Sequence, residues 1–134
     1  MLDGKGMELL ITGTSQLNRV NTNWTKAFLR DLVESVGMTV IFGPQVSVVT
    51  QDKVTGFVVL AESHSSIHWV KPVFYLDLFS CKPFEVEEVV LWVTHEWRIN
   101  KGYYQIIERG WDSQLNNDVR TINLPSLSLA YSKF

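Results

Sequence analysis

Two segments with helical periodicity interrupt a chain that otherwise consists of short β-rich runs, and this arrangement limits the fold more than any other feature. In residues 22–37 the apolar side chains recur at helical spacing: Trp24, Ala27, Phe28 and Leu32. Thr22 or Asn23 is suited to cap the start of this helix, and Gly37 stands where a helix C-terminal glycine belongs. Residues 22–37 are therefore predicted to form an amphipathic helix.

The second helical segment is residues 83–97. Pro83 is suited to open it, and acidic residues lie near its start, where the helix dipole favours them. Its apolar stripe is made of valines: Val86, Val89, Val90 and Val93. We interpret Glu85, Glu87 and Glu88 as acids at the positive end of this helix rather than as metal ligands.

The remaining runs are typical of β-strands: residues 7–12, 38–43, 45–50, 56–63, 72–81 and 103–109. The tail, residues 110–134, gives no clear pattern. The predicted order is β-α-β-β-β-β-α-β, which indicates an α+β fold: a two-layer αβ sandwich, mostly antiparallel, with both helices on one face. The other face of the sheet needs a cover, and a dimer is the expected solution.

Composition excludes several classes of protein. At 134 residues, with 46% hydrophobic and 19% charged residues, the chain is expected to be a single globular domain over 1–134. A formal charge of −2 gives no general attraction to nucleic acid or to a membrane surface. Cys81 is the one cysteine, so a reducing, cytoplasmic location is expected.

The densest group of reactive side chains is the stretch "ESHSSIH", residues 62–68. A serine hydroxyl can attack the carbonyl of the preceding peptide bond, here Glu62–Ser63, when the backbone is strained and a base is near. β-Elimination of the resulting ester and hydrolysis then leave an N-terminal pyruvoyl group. Such a carbonyl forms a Schiff base with an amine and serves as an electron sink.

This chemistry needs a hydrogen-bonding group, a proton carrier and an acid, for which Thr55, His68 and Cys81 are candidates. In an uninterrupted strand, Ser63 and His68 lie on opposite faces. The two can meet only if the strand bulges or breaks between them, or ends near Ser63. A bulge within residues 63–66 is therefore predicted.

Other histidines and the cysteine also have ordinary structural interpretations. His64 suits a surface position, and His95 suits a solvated or partly packed place on the second helix. A lone cysteine on a buried strand is usually a small hydrophobic residue. His64 and His68 lack clear carboxylate partners for zinc, so no metal site is predicted.

Residues 53–69, "KVTGFVVLAESHSSIHW", followed by "YLDLFSC", resemble the small prokaryotic S-adenosylmethionine decarboxylases. That family carries a Gly-Val-Ser/Thr-Gly turn, then "LAESH-x-SIHTWPE" and "VDxFTCG". The similarity extends over roughly residues 30–110.

The resemblance implies that Ser63 is the precursor of the pyruvoyl cofactor and Glu62–Ser63 the self-cleavage site. Thr55 and His68 would assist cleavage, and Cys81 would donate the proton in decarboxylation. Glu62 and His64 would belong to the substrate-binding segment, together with Trp69. The implied protein is a self-cleaving decarboxylase of S-adenosylmethionine in polyamine synthesis, an αβ sandwich that dimerises with its site near the interface.

Departures from the family concern the parts that bind substrate. The family's "TWPE" is replaced by "WVKP", so its glutamate has no counterpart and Lys71 reverses the charge. The aromatic residue and "PQG" upstream of the Gly-Val-Ser/Thr-Gly turn are also missing. Three alternatives therefore stay open: a pyruvoyl-dependent decarboxylase of a basic amino acid, another enzyme that degrades S-adenosylmethionine, and a non-cleaving partner or pseudoenzyme.

Overall fold

The computed structural model describes residues 6–110 and 117–123, which form two helices and one antiparallel sheet of seven strands. The strands are β1 (Gly6–Ser15), β2 (Val40–Thr50), β3 (Lys53–Leu60), β4 (Ser63–Val70), β5 (Val73–Ser80), β6 (Ile99–Arg109) and β7 (Asn117–Asn123). Their order across the sheet is β2-β3-β4-β5-β1-β6-β7. Strands β2 to β5 thus form a meander, and β1 lies between β5 and β6.

The helices are α1 (Thr22–Ser35) and α2 (Val86–Glu96), close to the predicted segments. The cap of α1 is Asn21, whose side chain accepts the Trp24 N–H at 2.7 Å, so the predicted caps Thr22 and Asn23 were one or two positions late. Gly37 does end this helix: its φ is 73° and its N–H donates to the Glu34 carbonyl at 3.0 Å.

Both helices cover the same face of the sheet, as predicted, and share one aromatic core. The Phe28 ring of α1 stacks on Trp92 of α2, with centroids 5.0 Å apart, and meets Trp97 edge-on at 5.6 Å. Trp97 is fully buried and also packs on Phe74 of β5, at 4.5 Å. Aromatic contacts of this kind stabilise a core beyond the area they bury, and here they fix both helices on the sheet.

The described helices leave the other face of the sheet uncovered, and we call it the open face. Four large aromatic side chains on this face are 43–53% exposed: Phe42, Phe57, Tyr75 and Tyr103. Phe42 and Phe57 contact each other across β2 and β3, with centroids 6.1 Å apart. Exposed aromatic residues grouped on one face are typical of a surface that associates.

The α+β class and the two-layer sandwich are confirmed, but three strands differ from the prediction. Residues 38–43 and 45–50, expected as separate strands, are joined in β2 across Gly43 and Pro44. Because β2 is at the edge of the sheet, a proline there removes no hydrogen bond to a second neighbour. The pairing with β3 shifts register between Phe42 and Gln45, which accommodates both residues.

The Ser/His-rich stretch is itself a strand, β4, whereas the predicted strand 56–63 was expected to precede it. His64, Ser66 and His68 alternate with buried residues on the other face, so burial in this strand does repeat every two residues. The repeat is hard to recognise in the sequence because Ser65, on the buried face, is polar too. The last strand, β7, lies in the tail for which no element was predicted. Within the described ranges, neither helix is long and apolar enough to cross a membrane.

Candidate active site

The Glu62–Ser63 peptide bond lies at a tight connection between two strands. Strand β3 ends at Leu60 and β4 begins at Ser63, so only Ala61 and Glu62 join them. The Ala61 N–H donates to the Thr39 carbonyl at 2.9 Å, and the Glu62 carboxylate accepts the Thr39 N–H at 2.9 Å. Both residues of the connection are therefore hydrogen-bonded to Thr39, in the segment that follows α1.

The carbonyl of Glu62 has a hydrogen-bond donor of its own. Its oxygen accepts the backbone N–H of Cys81 at 3.1 Å. Cys81 directly follows Ser80, which is paired with Ser63 in the β4–β5 ladder. A backbone N–H on a carbonyl oxygen stabilises the negative charge that develops there during nucleophilic attack. The peptide bond predicted to be cleaved thus carries one preset oxyanion donor.

Ser63, the predicted nucleophile, is the first residue of β4 and is half-buried. Its hydroxyl has no hydrogen-bond partner among the described residues. The nearby Ser65 differs, because it is fully buried and donates its hydroxyl to the Asp77 carbonyl at 2.8 Å. By the alternation of the strand, Ser63 shares the helix-facing side with Ser65. Of these two serines, only Ser63 has a hydroxyl with no competing hydrogen bond.

The predicted bulge in β4 is wrong. Residues 64–70 pair with β3, and residues 63–70 pair with β5, without a register shift. Ser63 and His68 therefore lie on opposite faces of the sheet, and five residues of strand separate them by roughly 16 Å. Hydrogen bonding to β3 on one side and β5 on the other keeps β4 regular. The sequence of β4 alone does not specify these two neighbours.

Thr55 and His68 do come together, away from Ser63. They are direct partners in the β3–β4 ladder, and both lie on the open face. The Thr55 hydroxyl donates to the Ile67 carbonyl at 3.4 Å, and the His68 ring lies 6.2 Å from that of Tyr75. The structure thus divides the predicted residues into two groups: Glu62, Ser63 and Cys81 at the connection, and Thr55 with His68 on the open face.

Sequence reasoning missed a charged cluster on the open face near the connection. The Arg109 guanidinium lies 3.3 Å from the Glu8 carboxylate, and Asp77 Oδ2 lies 4.0 Å from His64 Nε2. His64, predicted as a surface or substrate-binding residue, is 48% exposed, in agreement with a surface position. No signal in the sequence links Glu8 with Asp77, because the register that places β1 beside β5 is set by the whole sheet.

Asp77 is the most perturbed acid of this cluster. Burial, and then the neighbouring Glu8 carboxyl, raise the pKa of Asp77 from 3.8 to about 7, while Arg109 acts in the opposite direction. Its Oδ1 atom is buried without a hydrogen-bond partner in the described part of the chain. Asp77 therefore holds its proton up to a pH of about 7.

Trp69 was wrongly predicted to contact substrate. Its side chain is completely buried on the helix-facing side, 6.3 Å from the Trp97 ring, so it belongs to the core. His95 lies exposed on α2, as expected. Across residues 6–110 and 117–123 there is no group of three or more His, Cys, Asp or Glu that could hold a metal ion.

Fold and connection together define a two-layer αβ sandwich with a hydrogen-bonded peptide bond presented between two strands of its antiparallel sheet. The sequence profile of the S-adenosylmethionine decarboxylase family matches residues 15–110, which is most of the 134-residue chain. The chain therefore belongs to the S-adenosylmethionine decarboxylase family. The matched region includes both groups of predicted residues. No curated protein matches the chain.

Proposed function

We propose that this chain is a self-cleaving, pyruvoyl-dependent S-adenosylmethionine decarboxylase of the prokaryotic type, cut between Glu62 and Ser63, that acts in polyamine synthesis. The observation that carries the proposal is the hydrogen bond of 3.1 Å from the Cys81 N–H to the Glu62 carbonyl oxygen. It activates the carbonyl that Ser63 must attack, and it lies within the region that the family profile matches.

Cleavage would proceed by attack of the Ser63 hydroxyl oxygen on the Glu62 carbonyl carbon. The peptide C–N bond breaks, the Ser63 nitrogen takes up a proton, and an ester joins Glu62 to the serine oxygen. Loss of the Ser63 α-proton then expels Glu62 as a carboxylate and leaves dehydroalanine at position 63. Addition of water and release of ammonia convert this residue to pyruvoyl, so no external oxidant or reductant is needed.

The residues at the connection fit a cofactor made from Ser63. Its hydroxyl has no partner in the described ranges, and the Cys81 N–H already binds the oxygen of the bond to be cut. Once formed, the pyruvoyl group supplies a carbonyl that withdraws electrons while the substrate loses carbon dioxide. Cys81 is half-buried, and its N–H binds the carbonyl oxygen of the bond to be cut. Its thiol is therefore suited to return a proton to the substrate.

Proton transfer by His68 requires a second copy of the chain. Within one copy, His68 and Thr55 are on the other face of the sheet from Ser63 and roughly 16 Å further along β4. The same open face carries exposed aromatic residues, among them Phe57 and Tyr75. We therefore infer a homodimer in which the open face of one copy, with His68 and Thr55, lies against the Glu62–Ser63 connection of the other.

The choice of substrate rests on the family match, which covers residues 15–110. Lys71, which stands in place of the family's glutamate region, donates to the Asn18 side chain at 2.6 Å. Lys71 is thus tied to the loop before α1, at the far end of β4 from Ser63. A basic amino acid is the second candidate substrate, because the family's glutamate after the second histidine has no counterpart in this chain.

Denaturing mass spectrometry on freshly purified and aged protein tests the proposal. We expect two fragments divided at Glu62–Ser63, the second of which begins with a pyruvoyl group. Release of labelled carbon dioxide from S-adenosylmethionine, compared with arginine and ornithine, then identifies the substrate. An intact 15.4 kDa chain after prolonged incubation would contradict both decarboxylase functions and favour a non-cleaving partner.

A further inference from the structure

A cavity of about 820 Å³ lies at the opposite end of β1 from the Glu62–Ser63 bond. Strand β1 begins beside Ser80 and ends at Ser15. Gln16, the next residue, lines the cavity. It is bounded by the loop before α1, the first turn of α1 and the end of α2. The lining residues that bear on its chemistry are Arg19, Asn21, Trp24, His95, Glu96 and Arg98.

The charged groups that line this cavity are mainly cationic. Arg19 makes one weak hydrogen bond, to Gln51 at 3.4 Å, and the Arg98 side chain makes no hydrogen bond or ion pair with the described residues. Glu96 is the one carboxylate among the described lining residues. Helix α1 starts at this cavity and has no acidic residue in its first turn, so its positive end is not neutralised there.

Arg98 occupies a backbone conformation that favours glycine. It follows the end of α2 with a φ of 48°, and its N–H donates to the His95 carbonyl at 3.2 Å. A left-handed residue is common just after a helix, but glycine adopts it at a lower cost than arginine. In the described part of the chain, no hydrogen bond or ion pair of the guanidinium offsets that cost. A side chain kept at such a position is a reason to look for a ligand.

Trp24 supplies an aromatic wall that is already held in place. Its ring lies 6.0 Å from Phe28, nearly parallel, and meets Trp97 edge-on at 5.1 Å. The side chain is half-buried, so part of it faces the cavity. A volume of about 820 Å³ is within the range of sites for small organic ligands.

We propose that this cavity binds a small anion that carries a planar ring, of the chemical class of the nucleoside monophosphates. Arg19 and Arg98 would bind the phosphate, since guanidinium groups suit planar, bidentate contact with its oxygens. Trp24 would contact the ring. This site does not depend on cleavage at Ser63 or on the proposed decarboxylation.

Isothermal titration calorimetry with guanosine monophosphate tests the site, because guanine is not the base of S-adenosylmethionine. We expect a dissociation constant below about 1 mM, unchanged by an excess of S-adenosylmethionine. Ribose 5-phosphate, which lacks the ring, should bind at least about 5-fold more weakly. Displacement by S-adenosylmethionine, equal affinity for ribose 5-phosphate, or an absence of binding at millimolar nucleotide would each overturn the proposal.

Two arginine substitutions separate a binding role from a structural one. Arg19→Gln should weaken guanosine monophosphate by roughly 10-fold, whereas Arg30→Gln, which removes the same charge from an exposed position on α1, should leave the affinity unchanged. Arg98→Gly should also weaken binding by about 10-fold, while it raises the melting temperature by roughly 3 °C because glycine suits the positive φ. Unchanged nucleotide affinity in Arg98→Gly would show that this arginine has no role in binding, and the site would then be wrong.

Discussion

The connection at Glu62–Ser63 and the Thr55–His68 pair lie on the same hairpin, yet they are built in opposite ways. At the connection, three separate segments meet: Thr39 binds the Ala61 backbone N–H and the Glu62 carboxylate, and the Cys81 N–H binds the Glu62 carbonyl. The Thr55–His68 pair belongs to the β3–β4 ladder, and its side chains face the uncovered side of the sheet. The hydrogen bonds of the first region form within one copy of the chain, whereas the homodimer proposed above would bring a nucleophile to the second.

This difference suggests a division of work between the two regions. A backbone donor such as the Cys81 N–H needs no side-chain ordering and is fixed as soon as the sheet forms. A proton carrier on an exposed face, such as His68, works only where a nucleophile is brought to it. The fold of one copy therefore prepares the bond to be cut, and assembly of two copies would deliver the groups that move protons.

The most severe test of the prepared connection is removal of its nucleophile. Ser63→Ala should abolish cleavage entirely, because Ala61, the other neighbour of Glu62 in the sequence, has no hydroxyl to replace it. Ser66→Ala, on the open face of the same strand, should still be cut at position 62–63. Denaturing mass spectrometry reads both results, and cleavage of Ser63→Ala at the same bond would refute the chemistry.

The second test asks whether the two regions act across copies. His68→Ala should slow cleavage by roughly 100- to 1,000-fold, the contribution expected of one acid–base group. Co-expression with Ser63→Ala should restore cleavage of the His68→Ala chain, because the intact His68 of one copy meets the intact Ser63 of the other. Two different affinity tags identify mixed dimers, and mass spectrometry shows which chain is cut. Mixed dimers in which neither chain is cut would contradict the arrangement.

Much of the fold followed from periodicity, and the misses have a common physical cause. The helices were predicted because α1 and α2 carry apolar stripes, which are local properties of the sequence. The cluster of Glu8, Asp77 and Arg109 depends on β1 lying between β5 and β6, a register that no single segment specifies. Trp69 was misassigned for the same reason: its neighbours along the chain are polar, but its face of the strand is determined by the whole sheet.

A third test loosens the connection without removing its reacting atoms. Glu62→Ala should slow cleavage by about 5- to 10-fold, since it deletes the charge-assisted hydrogen bond to the Thr39 N–H. Glu62→Gln keeps an oxygen acceptor at that position and should cleave at close to the rate of the original chain. The rates come from timed mass spectrometry after cell-free synthesis. Equal rates for all three chains would show that this hydrogen bond does not position the peptide bond.

The smallest expected effect concerns Asp77, on the open face between the two regions. Because its pKa is about 7 in the folded chain and near 3.8 otherwise, the folded chain holds a proton that the unfolded chain releases within that window. The contribution of Asp77 to stability is thus fully present below about pH 3.8 and is lost as the pH rises through about 7. With its side chain 31% exposed, we discount the effect to about 1–2 kcal/mol.

Asp77→Asn removes this titration and should flatten the stability profile between pH 5 and 8, with a higher melting temperature than the original chain at pH 8. Asp52→Asn, in the exposed turn between β2 and β3, keeps the Asp77–Glu8 pair and should retain the original slope. Thermal unfolding at several pH values measures both. A slope that persists in Asp77→Asn would assign the proton to another group, and the open face would then meet its partner with the Asp77 carboxylate ionised.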